Sequence, residues 1–258
     1  MDKAEASEAL RAAGSAVLPT AIEEACAPSG QVILGRPVTA QEAETLWRQM
    51  LGACSRSGWH PVLTVGRPSD LVDSSHHTHP AFDARAFTAP REIVTEIESA
   101  ALAKCLDGAD EEEAAEWKAD FDPDQLAGTL NLEPRPTSPR RNFHPHWLCL
   151  VEAQYGYSVP SILPVHPSPR NWAHGPGDRA MLASDHVAFL HTWNTRFGAE
   201  LLYMAHNVLM VDVPQPPQEP LAVARAAIEQ YAYCPDENDT TTYAELQTRN
   251  GTWQFCWD

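Results

Sequence analysis

Hydrophobic spacing along the chain switches between a helical and a strand-like period, and the switches predict its elements. Thr39-Ala40-Gln41-Glu42 reads as a capping box, with Thr39 as N-cap and Glu42 reaching back. Behind it, Ala43, Leu46, Trp47, Met50, Leu51 and Cys54 share one helix face, and Gly58 is placed to end that helix at C′. Short apolar runs over 31–34 and 61–65 predict strands on either side. A second helix is predicted over 91–106. Asp110-Glu111-Glu112-Glu113 opens a third, because carboxylates favour the positive end of a helix dipole. Residues 1–30 are weakly helical, whereas 66–90 and 120–146 read as loops.

The C-terminal third is patterned more sharply. Strands are predicted over 146–153 and 160–165, followed by a proline-rich loop, 164–176, that carries Trp172 and His174. Ser184 is placed to cap a helix ending at Phe197, with Gly198 at C′. Residues 200–205 and 208–213 read as a hairpin around His206-Asn207. This register puts Met204 opposite Leu209, Leu202 opposite Val211, and Glu200 opposite Val213. Glu200 is then the one carboxylate on an apolar face, and burial raises its pKa unless a cation compensates. Arg196 is the nearest such cation in sequence. Pro220 suits a first helical turn, Leu221, Ala224, Ile228 and Tyr231 form its stripe, and a last strand covers 252–257.

These elements predict an α+β fold: a mixed or antiparallel sheet with flanking helices, in a single compact domain with a long central loop or helical insertion. The N-terminal part, 1–145, supplies helices, short strands and a proline-rich arm. The C-terminal part, 146–258, is expected to form one structural unit with it.

Composition narrows the function classes. The chain has 35 acidic and 18 basic residues, a formal net charge of −17, which repels phosphate backbones and anionic lipid. Nucleic-acid and membrane-surface partners are therefore not expected. Arginine greatly outnumbers lysine, and with many Ala and 22 Pro this suggests a GC-rich bacterial genome. The six cysteines form no CxxC pair, so reduced, buried thiols are expected. The first residues lack the basic-then-apolar pattern of a signal peptide, and no apolar run reaches membrane-span length; a cytoplasmic location is expected.

Three ordered motifs carry a resemblance. Residues 193–201 read W-N-T-R-F-G-A-E-L, residues 230–236 read Q-Y-A-Y-C-P-D, and residues 253–258 read W-Q-F-C-W-D. Together they resemble the signatures of the domain-of-unknown-function 4253 family, which is common in actinobacteria. The likeness is good over roughly 150–258 and looser over 35–65. It implies a fold and no reaction. The chain departs from the family pattern at His206-Asn207, where an acidic residue is usual, and at Cys256, where Trp is usual. It departs again at Arg170-Asn171-Trp172-Ala173-His174-Gly175-Pro176, where the family has G-G-W-N-x-C-P.

No phosphate-loop, dinucleotide or nucleophile-elbow motif is present, so kinase, Rossmann and hydrolase readings are weak. The histidines at 76, 77, 79, 144 and 146 lie in predicted loops, and no metal site is expected from them. Cys234 at a helix C-terminus is better read as packing than as a nucleophile. Glu200 is the leading acid–base group, set against a structural Arg196–Glu200 pair. The expected function is a cofactor-independent enzyme acting on an apolar small molecule in bacterial secondary metabolism, by lyase- or cyclase-type acid–base chemistry. Its expected catalytic groups are Glu200, His206, His174 and Tyr203, with Trp172, Trp193 and Trp257 lining the pocket and no cofactor. The alternative is a non-catalytic, immunity-type or regulatory module whose acidic surface meets a basic protein.

Overall fold

The computed structural model describes residues 1–14, 18–54, 57–73, 82–133, 143–165, 167, 179–235 and 238–257. Its helices are α1 (Lys3–Ala12), α2 (Ala40–Cys54), α3 (Pro68–Leu71), α4 (Arg85–Thr88), α5 (Pro90–Leu106), α6 (Glu111–Asp120), α7 (Pro123–Thr129), α8 (Ala183–Phe197), α9 (Pro220–Tyr233) and α10 (Thr240–Thr242). The strands are β1 (Glu23–Cys26), β2 (Val32–Pro37), β3 (His60–Thr64), β4 (Trp147–Val151), β5 (Glu200–Met204), β6 (Val208–Asp212) and β7 (Thr252–Cys256). They form one mixed sheet in the order β1-β2-β4-β3-β5-β6-β7, and the fold is α+β. The pairs β1–β2, β2–β4 and β4–β3 are antiparallel, and β3–β5 is parallel. No helix among the described residues is long and apolar enough to cross a membrane.

By contact density the chain divides into two compact units. The first comprises 1–82, 142–167 and 200–210. In it β4 is central, with Leu148, Cys149, Leu150 and Val151 all buried between β2 and β3. Helix α2 packs on β3 through Ala43, Leu46, Trp47 and Met50, and the Trp47 indole N–H donates to the Pro61 carbonyl at 2.8 Å. The Thr39–Glu42 box forms as its spacing predicts, Glu42 accepting from the Thr39 N–H at 3.2 Å and Thr39 accepting from the Glu42 N–H at 3.4 Å. Gly58 is not the C′ residue. The helix stops at Cys54, whose carbonyl accepts from Ser57, and Gly58, with φ +77, lies in the turn before β3. The strand expected over 160–165 is instead a 3-10 turn, Gly156–Ser161. Pro160 and Pro164 supply no N–H to a ladder, and the buried Val159 and Leu163 have helical spacing. Strand β1 was invisible to pattern because Glu23-Glu24-Ala25-Cys26 is a charged edge strand.

The second unit comprises 83–141, 168–199 and 211–258, and is mostly helical. Helix α5 packs on α8 and α9, and α7 packs on α9. Residues 120–146 are not wholly a loop: Asp122 caps α7, accepting from Asp124 N–H at 2.9 Å, and Pro123 takes the first turn. Leu126 of α7 is buried with Ala224 and Ile228 of the predicted α9 stripe. Helix α8 is capped by Asp185 rather than Ser184. The Asp185 carboxylate accepts the Leu182 N–H at 2.8 Å and is clamped by Arg179 at 2.5 and 2.8 Å. Ser184 lies two residues beyond the N-cap position, which Leu182 occupies. Gly198 ends α8 at φ +66, a left-handed conformation that other residues strain to adopt.

Candidate functional site

Three helices of the second unit meet at a buried carboxylate. Glu229 on α9 has no exposed surface. Its Oε1 accepts from Arg91 of α5 and Arg196 of α8, and its Oε2 accepts from the Trp193 indole N–H at 3.0 Å. A carboxylate removed from water needs such compensation. Trp193 itself lies in an aromatic cluster, stacked on Phe255 at 5.1 Å and edge-on to Trp253 and Tyr233. The three sequence motifs therefore converge: the first supplies Trp193 and Arg196, the second Tyr233, and the third Trp253 and Phe255.

A second carboxyl stands beside this node. Glu98 lies two turns beyond Arg91 on α5, with one oxygen 3.6 Å from Arg91 Nη2. Its side chain is 17% exposed. Burial, and then the negative charge of Glu229, push its carboxyl up to about 7, against the opposing pull of Arg91 and Arg196. Glu98 lines a groove of about 250 Å³. Leu102, Phe121, Pro123 and Ile228 give the groove an apolar lining, while Arg91, Arg225 and Ser99 add polar groups. Arg225 is exposed and has no carboxylate partner among the described residues. A carboxyl poised near neutrality can both take and give a proton, and a neighbouring guanidinium can stabilise an oxyanion formed by that transfer.

Of the groups expected from sequence, Glu200 and Tyr203 lie on β5 in the first unit, and His206 is exposed in the turn beyond it. Tyr203 is buried against Phe143, with rings 5.3 Å apart. The parallel β3–β5 register, Leu63 beside Tyr203, extends back to put His60 beside Glu200. Glu200 Oε2 is 3.9 Å from His60 Nδ1, and His60 Nε2 is 3.1 Å from the Leu201 carbonyl. Burial lowers the His60 pKa to about 4, so its ring is neutral, with the proton on Nε2 facing that carbonyl. Gly156 closes over the pair, since a Cβ there would stand 2.5 Å from His60 Cε1 and 2.8 Å from Glu200 Oε2. Arg196 thus pairs with Glu229 rather than with Glu200, and Glu200 lies instead beside the neutral His60 ring. Trp193 and Trp257 are core residues rather than exposed pocket walls. The Trp257 indole N–H has no partner among the described residues. His174 and Trp172 lie outside the described residues, as do the histidines at 76, 77 and 79.

Sequence reasoning passed over Arg91, Glu98, Arg225 and Glu229. The available signals were an Arg and a Glu seven apart on one helix face, and a Glu directly after Ile228 in the apolar stripe. All six cysteines are free thiols, Cys26 exposed and Cys54, Cys149, Cys234 and Cys256 buried. The Cys234 thiol donates to the Cys256 carbonyl at 2.9 Å, a packing role. Among the described residues no three His, Cys, Asp or Glu side chains gather as metal ligands.

Comparison with curated proteins and with solved structures gave no match. Residues 147–258 match the model of a family described as Domain of unknown function (DUF4253). That span holds all three motifs and the Trp193–Arg196–Glu229 node.

Proposed function

We propose that this protein is an acid–base enzyme acting on a compact small molecule in the groove between α5, α9 and the α6–α7 corner. Glu98 moves the proton and Arg91 steadies the charge that the transfer leaves on substrate oxygen. Proton abstraction coupled to loss of a hydroxyl, or to ring closure, is the reaction type that such a pair suits. The observation carrying this reading is the placement of Glu98, largely buried and 3.6 Å from an arginine, on the wall of an apolar-lined groove. The groove is smaller than the roughly 300–1,000 Å³ of drug-sized pockets, which suits a small substrate. Glu98 takes over the role first expected of Glu200, because Glu98 is the carboxyl on that wall.

The test is conversion of a small-molecule bacterial extract by purified protein, followed by mass spectrometry. Wild type should consume at least one compound with isomerisation or dehydration, and Glu98→Gln should slow that conversion by roughly 10²-fold or more while remaining folded. No conversion by wild type would count against the enzyme. It would favour the second reading, a binding module for a basic protein, which the net charge of −17 and the exposed Glu111, Glu112, Glu113 and Glu116 of α6 support.

A further inference from the structure

The groove has a charge balance opposite to that of the chain around it. The chain carries 35 acidic against 18 basic residues, yet the groove lining holds two arginines and one carboxyl. Beneath it, Arg196 helps Arg91 neutralise Glu229. Arg91 keeps donors beyond the one given to Glu229, since a guanidinium has five N–H groups and the side chain is 52% exposed. Arg225 stands on α9, three residues before Ile228 of the apolar lining, with no carboxylate engaged among the described residues. Leu102 and Phe121 offer an apolar bed next to these donors, and Ser99 adds a hydroxyl. Positive donors at one side and an apolar surface at the other match an amphipathic anion.

We propose that the groove binds a compact carboxylic acid with an apolar body, its carboxylate held by Arg91 and Arg225 and its body resting on Leu102, Phe121 and Ile228. This names the substrate class for the reading above and rests on the same groove. A planar carboxylate suits guanidinium forks, and a single negative charge is tolerated beside Glu98 where a dianion would be repelled.

Benzoate, benzamide and benzamidine share one shape and differ in charge, so together they test the proposal. Binding to the full-length protein is read from amide and arginine N–H shifts in ¹H–¹⁵N spectra. Benzoate should shift resonances of α5 and α9 and bind at least about tenfold tighter than benzamide, with benzamidine weakest. Arg225→Gln, at an exposed site, should weaken benzoate about tenfold and leave benzamide unchanged, while Glu98→Gln should retain benzoate. Equal binding of benzoate and benzamide, shifts confined elsewhere, or benzoate affinity indifferent to Arg225→Gln would each overturn the ligand class. The two proposals fail separately. Charge-selective binding without Glu98-dependent conversion removes the acid–base reading alone, and Glu98-dependent conversion without charge selectivity removes the carboxylate alone.

Discussion

A glutamate carboxyl with an ordinary value of 4.5 rises to about 7 at position 98, and a histidine of ordinary value 6.5 falls to about 4 at position 60. For Glu98 the folded chain holds its proton more tightly than the unfolded one. Its contribution is complete below about 4.5 and is lost as pH rises through 7. For His60 the unfolded chain holds the proton more tightly. Its contribution is complete above 6.5 and is lost as pH falls towards 4. The two titrations run in opposite directions across nearly the same window, so the wild-type slope is their difference and each variant unmasks the other. Glu98→Gln should gain on wild type as pH rises, by about 2–3 kcal/mol between acid and alkaline limits. His60→Gln, which keeps a donor for the Leu201 carbonyl, should lose the acid-side decline, a change of up to about 3 kcal/mol. Urea unfolding of the three proteins at several pH values measures both effects, and parallel pH curves would refute them. A carboxyl that weakens the fold at working pH is the kind of residue that function, rather than stability, retains.

Between elements, Glu229 joins α9 to α5 through Arg91 and to α8 through Arg196 and Trp193. Glu229→Gln keeps the volume and removes the charge that both arginines face. Because Arg91 and Arg196 are 52% and 30% exposed, water can take them back in part, and the expected loss is about 2–4 kcal/mol rather than the larger cost of stranding a buried ion. A lower urea midpoint with an unchanged slope would register it, and an unchanged midpoint would show that the node does not hold the helices. Local signals of this kind were legible in the sequence where both partners are close. The Thr39–Glu42 box, the Asp110 cap of α6 and the stripe of α9 all follow from residues within a turn or two. The partner of Arg196 was not legible, because spacing favours Glu200 at i+4 while the left-handed Gly198 ends the helix between them. The true partner lies 33 residues on, at Glu229, and Arg91 is more distant still, 138 residues before it. Glu98 was not legible for the same reason: its pKa is raised first by burial against other helices and then by Glu229, and both come from residues far along the chain.

For the molecule as a whole, the α+β class was readable from alternating periods, and the likeness to the family from three motifs, but the matched span draws the strand partners of β4 from outside itself. Residues 147–258 include β4 and β5, while β2 and β3, the two neighbours of β4, lie outside that span, as does Arg91. Without residues 1–146, β4 loses both hydrogen-bonding partners and β5 loses its parallel pairing to β3. Leu148, Leu150 and Val151, fully buried in the intact chain, would face water at about 1.5–3 kcal/mol each. That loss alone rivals the 5–15 kcal/mol typical of a whole domain. Glu229 would also keep Arg196 and Trp193 but not Arg91. The segment 147–258, expressed alone, should therefore give poorly dispersed amide resonances and no cooperative thermal transition, whereas the full chain gives both. Adding a separately produced 1–146 fragment should restore dispersion, since it returns β2, β3 and Arg91 together. A well-dispersed spectrum with a cooperative melt from 147–258 alone would show that the family segment supplies its own core and that the N-terminal strands are an accessory to it.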